Sequence, residues 1–167
     1  MGSWDGTLPA ALPSGFVPTG AQWEAIRDAI AATTDPWNTY VPAWTGSTTN
    51  PVIGNGGLSG VYFRAGKTGV MSFSIDMGST TTFGSGTYSI GLPSGWTSAN
   101  SGVNRCCGAV GMRDNSGATH NTGFAFIGPN ATSFGVRLNG GNVLTNTAPW
   151  TWAQSDFLDG TIILELV

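Results

Sequence analysis

The sequence predicts a mainly β protein: an antiparallel β-sandwich or jelly roll preceded by an extended arm and one short α-helix. Three observations carry that prediction. Apolar and polar residues alternate with period two in several separate segments, most cleanly where Met71, Phe73, Ile75 and Met77 interleave with Ser72, Ser74 and Asp76. The segments are short and bounded by turn residues, in a chain that carries 26 glycines among 167 residues. Helical periodicity occurs once, ahead of Pro36.

Residues 1 to 18 place Pro9, Pro13 and Pro18 among Gly, Leu and Ala, which favours an extended arm over either regular element. Thr19 then suits a helix N-cap, with Gln22 at the third position of a capping box. Trp23, Ile26 and Ile30 repeat on one face, and Ala21, Ala25, Ala29, Ala31 and Ala32 add helix propensity. Asp35 and Pro36 stop the helix near Thr33. A helix of about 14 residues is marginal alone in water, so its Trp/Ile stripe requires a partner: the following domain, another copy, or a larger assembly. The division expected is therefore an N-terminal arm and anchoring helix over 1–35 and an antiparallel β domain over 36–167.

Within that domain, 58–64 and 71–77 form the first strong hairpin, turning through AGKTG. Tyr88, Ile90 and Leu92 alternate before Pro93 and Gly95 end the run. A second hairpin spans 105 to 127 and turns at Asp114, Asn115, Ser116 and Gly117. Thr132, Phe134, Val136 and Leu138 share another face, and the final TIILELV directs Ile162, Leu164 and Leu166 inward. Seven or eight short strands joined by glycine-rich turns point to a sandwich or jelly roll, with a barrel as nearest competitor. Trp37, Tyr40 and Trp44 are expected to seal the base of this body, beside the helix.

Composition narrows function. Charged residues make up 9% of the chain and its net charge is −3, with no basic stripe to neutralise phosphates, so nucleic acid is not an expected partner. No apolar run approaches the roughly 20 residues of a membrane helix, and MGSWDG lacks the features of a secretory signal, so synthesis in the cytoplasm without membrane insertion is expected. The two cysteines, Cys106 and Cys107, are adjacent and imply no disulfide framework; in a strand they project oppositely, and at least one belongs to the core.

Catalytic chemistry has few candidates. His120 is the sole histidine, with Asp114 the nearest acid in sequence, and no nucleophile motif accompanies them. Asp76, Asp114, Asp156, Asp159 and Glu165 are available for paired-carboxylate chemistry, but their settings read as solvated or turn-making. Lys67 sits in a hairpin turn without a phosphate-cradling loop. No catalytic residue, metal ligand or cofactor is expected. The seven tryptophans are the alternative to a purely structural reading: core or interface packing is favoured, while Trp96, Trp150 and Trp152, in loop-like segments, are candidates for stacking on sugar rings.

The stretch from Trp37 to Pro93, with WTGSTTNPVIGNG, the YFRAGK hairpin and MGSTTTFGSGTYSIGLP as its most specific pieces, resembles a domain recurring in tail-associated, fibre-like and capsid-surface proteins of bacteriophages infecting actinobacteria. PWTWAQSD and the terminal strand extend the resemblance to the end of the chain, and FVPTGAQWEAIRDAIAATTDPW is similar to attachment segments placed before such domains. Gly69 and Val70, where a more regular β-branched strand start is expected, and the Cys106–Cys107 pair depart from it. The resemblance implies a noncatalytic virion protein, a multimeric surface decoration or stabilising component, displayed as a homotrimer against other virion proteins such as major capsid or tail proteins. Trp23, Ile26 and Ile30 are then its assembly anchor. The alternative is a tail-tip receptor-binding module for host cell-surface carbohydrate, contacted through Trp96, Trp150 and Trp152.

Overall fold

The computed structural model describes residues 17–34, 37–100 and 106–167. Residues 1–16 of the expected arm, the helix stop at Asp35 and Pro36, and residue 105 at the start of the expected second hairpin lie outside the described residues. The chain divides into two units, Met1–Pro36 and Trp37–Val167.

In the first unit, α1 runs over Gly20–Thr34. Its start is the reciprocal arrangement expected: the Thr19 N–H donates to Gln22 Oε1 (2.8 Å), and the Gln22 N–H donates to Thr19 Oγ1 (3.4 Å). Two otherwise orphaned donors are thereby satisfied.

In the second unit, nine strands are found among the described residues: β1 (Asn38–Tyr40), β2 (Trp44–Gly46), β3 (Gly57–Ala65), β4 (Thr68–Asp76), β5 (Tyr88–Gly91), β6 (Gly108–Asp114), β7 (Thr119–Phe126), β8 (Ser133–Leu138) and β9 (Phe157–Glu165). They form one antiparallel sheet in the order β1-β3-β4-β9-β6-β7-β8-β5-β2. The sheet curls over itself into a sandwich-like body.

The curl follows from connectivity. Laid flat, nine strands about 4.8 Å apart would hold their outer strands roughly 38 Å apart. The two outer strands are β1 and β2, consecutive in the chain and joined only by Val41, Pro42 and Ala43. Tyr40 to Trp44 spans at most about 14 Å of extended chain, so the sheet must bring its ends together. The linker is held where it closes the sheet, with the Gly91 N–H donating to the Ala43 carbonyl at 2.8 Å. The rings of Phe73 in β4 and Phe134 in β8 meet at 5.4 Å across the interior although three strands separate them in the sheet order.

The alternating residues supply the core. Met71, Phe73 and Ile75 of β4, Leu158, Ile162 and Leu164 of β9, and Phe134, Val136 and Leu138 of β8 are all buried. Leu166 is buried as well, so the inward set expected of TIILELV is observed. Gly69, which departs from a regular strand start, has a packing cause: an added Cβ would lie 2.5 Å from Trp96 Cζ3 and 2.9 Å from Leu166 Cδ1. The indole of Trp96 occupies the space above that glycine and meets Tyr62 edge to face at 5.2 Å.

The Thr/Gly-rich loops form a second seam. Asn55 Oδ1 accepts from the Thr80 N–H (2.9 Å) and hydroxyl (3.0 Å), while the Asn55 N–H donates to Thr80 Oγ1 (2.9 Å). Isolated bridges join Thr49 to Ser85 and Val52 to Thr82. The NPVIGNG and MGSTTTFGSG stretches are therefore paired with each other.

Cys107 is buried and Cys106 exposed. Burial pushes the Cys107 thiol up to about 11, with neighbouring Cys106 adding to the shift. Since thiolate is the reactive form, native protein at neutral pH is expected to titrate one thiol with a disulfide reagent and two after denaturation. Two fast thiols in the native state would contradict this burial.

Candidate functional site

Trp96 and Trp152 are 6% and 2% exposed. Neither offers a ring face to a sugar, and this corrects their assignment as glycan contacts. The Trp152 Nε1–H donates to the Thr145 carbonyl at 2.9 Å, which draws its polar edge inward. Trp150 is half-buried against Trp152, with its Nε1–H donating to Asp156 Oδ2 at 3.2 Å. Large rings in loop-like sequence cap the ends of a curled sheet here, because loops cross the open ends of its core. Trp37, at 47%, is the exposed aromatic of this unit's entry segment, packed edge to face on Phe63 at 5.0 Å. It therefore does not seal the body, whereas Trp44 is buried against Tyr88.

Of the anchor residues, Trp23 and Ile30 are 57% and 59% exposed and Ile26 is half-buried. The carboxylates separate by role. Asp156, 1% exposed, accepts from the N–H groups of Asn115 and Ala153, both at 2.9 Å, as well as from Trp150. It ties the β6–β7 turn to the loop before β9. Asp114 accepts from the Gly117 N–H (2.8 Å) and the Ser116 hydroxyl (2.7 Å), which hold its carboxyl below its ordinary range. His120 is exposed and lies opposite Arg113, so this acid and histidine do not form a dyad.

The sheet register lays out a different site on the outer face of β1, β3, β4, β9, β6 and β7. One row of outward residues runs Thr39, Val61, Ser72, Thr161 and Ala109. The next runs Ser59, Ser74, Asp159, Gly111 and Thr122. These short side chains line an open trough of about 1030 Å³ that crosses the strands. Larger groups flank it: Phe63, Val70 and Ile163 share the row on one side, and Asp76, Phe157 and Arg113 the row on the other.

Inside the trough, the hydroxyls of Ser72 and Thr161 are 3.0 Å apart. Asp159 is the one Asp, Glu, Lys, Arg or His among the described lining residues. Its carboxylate lies across β6 because Gly111 has no side chain there; an added Cβ would sit 2.8 Å from Asp159 Oδ1. Asp76 lies diagonally from Asp159 and accepts from the Ser74 hydroxyl at 3.1 Å. Both carboxylates are exposed. The arrangement is suited to holding a hydroxyl-bearing ligand. Among the described residues no group of three or more His, Cys, Asp or Glu side chains is placed to hold a metal ion, and no helix is long and apolar enough to cross a membrane.

Sequence reasoning missed this site because its residues are individually unremarkable Ser, Thr, Ala and Gly spread over six strands. The available signal was the strict polar alternation of β4 with Ser72 and Ser74 on its outer face. No protein-family model, curated protein or solved structure matches the chain.

Proposed function

We propose that the protein is a noncatalytic structural component of a bacteriophage virion, anchored through its N-terminal segment and displaying residues 37–167 as a surface body. The observation that carries this reading is the exposed stripe of α1: Trp23 and Ile30 lie mostly in solvent on a properly capped helix. A helix this short gains stability by burying such a stripe, and a virion protein or the same helix in other copies of the chain would cover it. The resemblance of residues 37–93 to actinobacteriophage virion domains supplies the particle, and a homotrimer is the assembly it implies.

Removing residues 1–35 is expected to abolish incorporation into particles while the remaining chain stays folded, with β-type circular dichroism and a cooperative melt. Trp23→Ser with Ile30→Ser should reproduce the incorporation defect in the full-length chain. Normal incorporation of either form would refute the anchor.

A further inference from the structure

We propose that the trough on the outer face of β1, β3, β4, β9, β6 and β7 binds one neutral polysaccharide chain laid across the strands. This goes beyond the anchoring role and does not depend on it. Five interstrand steps of about 4.8 Å give the trough a length of roughly 24 Å, enough for several sugar rings in a row. Its floor presents the hydroxyls of Ser59, Ser72, Ser74, Thr161 and Thr122; Ser74 donates to Asp76 and Ser72 and Thr161 share one bond, while those of Ser59 and Thr122 can both donate and accept. That dual capacity matches a ligand whose own polar groups are hydroxyls. Asp159 adds an acceptor that no protein group donates to among the described residues, leaving its lone pairs for sugar hydroxyls.

Other occupants fit less well. A polyanion would meet a carboxylate and no cation along the floor. A peptide adding as a strand would pair along an edge, whereas most of the floor lies on β4, β9 and β6, whose trough residues are paired on both sides. An apolar helix would strip water from the hydroxyls without replacing their hydrogen bonds. Sugars have hydroxyls for the floor and C–H faces for rings beside it: Trp37, 47% exposed, packs on Phe63 of one flanking row, and Phe124, 38% exposed, pairs with Ala109 at the β7 end.

The test is affinity electrophoresis of the full-length chain through gels containing soluble mannan, arabinan, galactan, α-glucan or β-glucan, with heparin as the polyanion. At least one neutral polymer should retard the protein, and heparin should not. Asp159→Asn should weaken the retardation about tenfold, the scale of one charge-assisted hydrogen bond. Thr161→Trp, at an exposed position, should fill the floor and remove retardation with an unchanged melting temperature; Ser74→Ala provides a smaller perturbation if the tryptophan disturbs folding. Retardation should survive deletion of residues 1–35, which separates this site from the anchor. The proposal is overturned if no neutral polymer retards the protein, if heparin does so equally, or if the folded floor variants bind unchanged.

Discussion

Gly69→Val is expected to destabilise the β body by at least about 3 kcal/mol, lowering its melting temperature by about 10 °C or more. The first added atom would already stand 2.5 Å from Trp96 Cζ3 and 2.8 Å from Trp96 Cη2, with Leu166 Cδ1 at 2.9 Å on the other side. None of these neighbours can swing into solvent, since Trp96 is 6% exposed and Leu166 is 0% exposed. The branched methyls of valine then fall within a filled core, and β4 must separate from the loop carrying Trp96 or from the C-terminal segment. In a strand the same substitution would ordinarily help, because valine has the higher β propensity. A melt of Gly69→Val equal to or above that of the wild type would show that the indole does not occupy this space. Pairing Gly69→Ala with Trp96→Phe gives a sharper reading: the double variant should recover at least about 1 kcal/mol of the sum of the single losses, as expected for residues in direct contact.

Asp156→Ala is the second large effect, a loss of about 3 to 5 kcal/mol measured by denaturant titration. Three donors converge on this 1% exposed carboxylate: the Asn115 and Ala153 N–H groups, both at 2.9 Å, and the Trp150 indole at 3.2 Å. Alanine would leave them without acceptors in a site water reaches poorly, and each such group costs roughly 1 to 3 kcal/mol. Asp156→Asn should fall between the two, since its single carbonyl oxygen replaces one acceptor and its NH2 faces donors. Equal stability of the Asn and Ala variants would mean that charge and donor count are not what holds this junction.

The strands were legible because burial on one face of a sheet imposes a two-residue period. That period marked β4 through Met71, Phe73 and Ile75, β8 through Phe134, Val136 and Leu138, and β9 through Ile162 and Leu164. The helix was legible from Thr19 and Gln22, which make the capping bonds their spacing predicts. Short β1 and β2 were not, because three residues such as Asn38–Tyr40 are too few to display a period. The trough was least legible of all. Ser72, Asp159 and Gly111 acquire a common role only when β4, β9 and β6 lie side by side, because the register sets Asp159 between Ser74 and Gly111, residues that lie far from it along the chain.

By itself, then, the sequence determined a glycine-rich antiparallel β body with few charges and a capped amphipathic helix ahead of it, because alternation, capping and turn chemistry act over a few neighbouring residues. Tertiary structure alone decided that β1 and β2, three residues apart, form the two ends of one curled sheet, that Trp96 and Trp152 are core while Trp37 is exposed, and that scattered hydroxyls line one trough. Those outcomes depend on which strand hydrogen-bonds to which and where the sheet closes. Pairings between distant segments are set by the joint packing of the whole core, which no local window of residues contains.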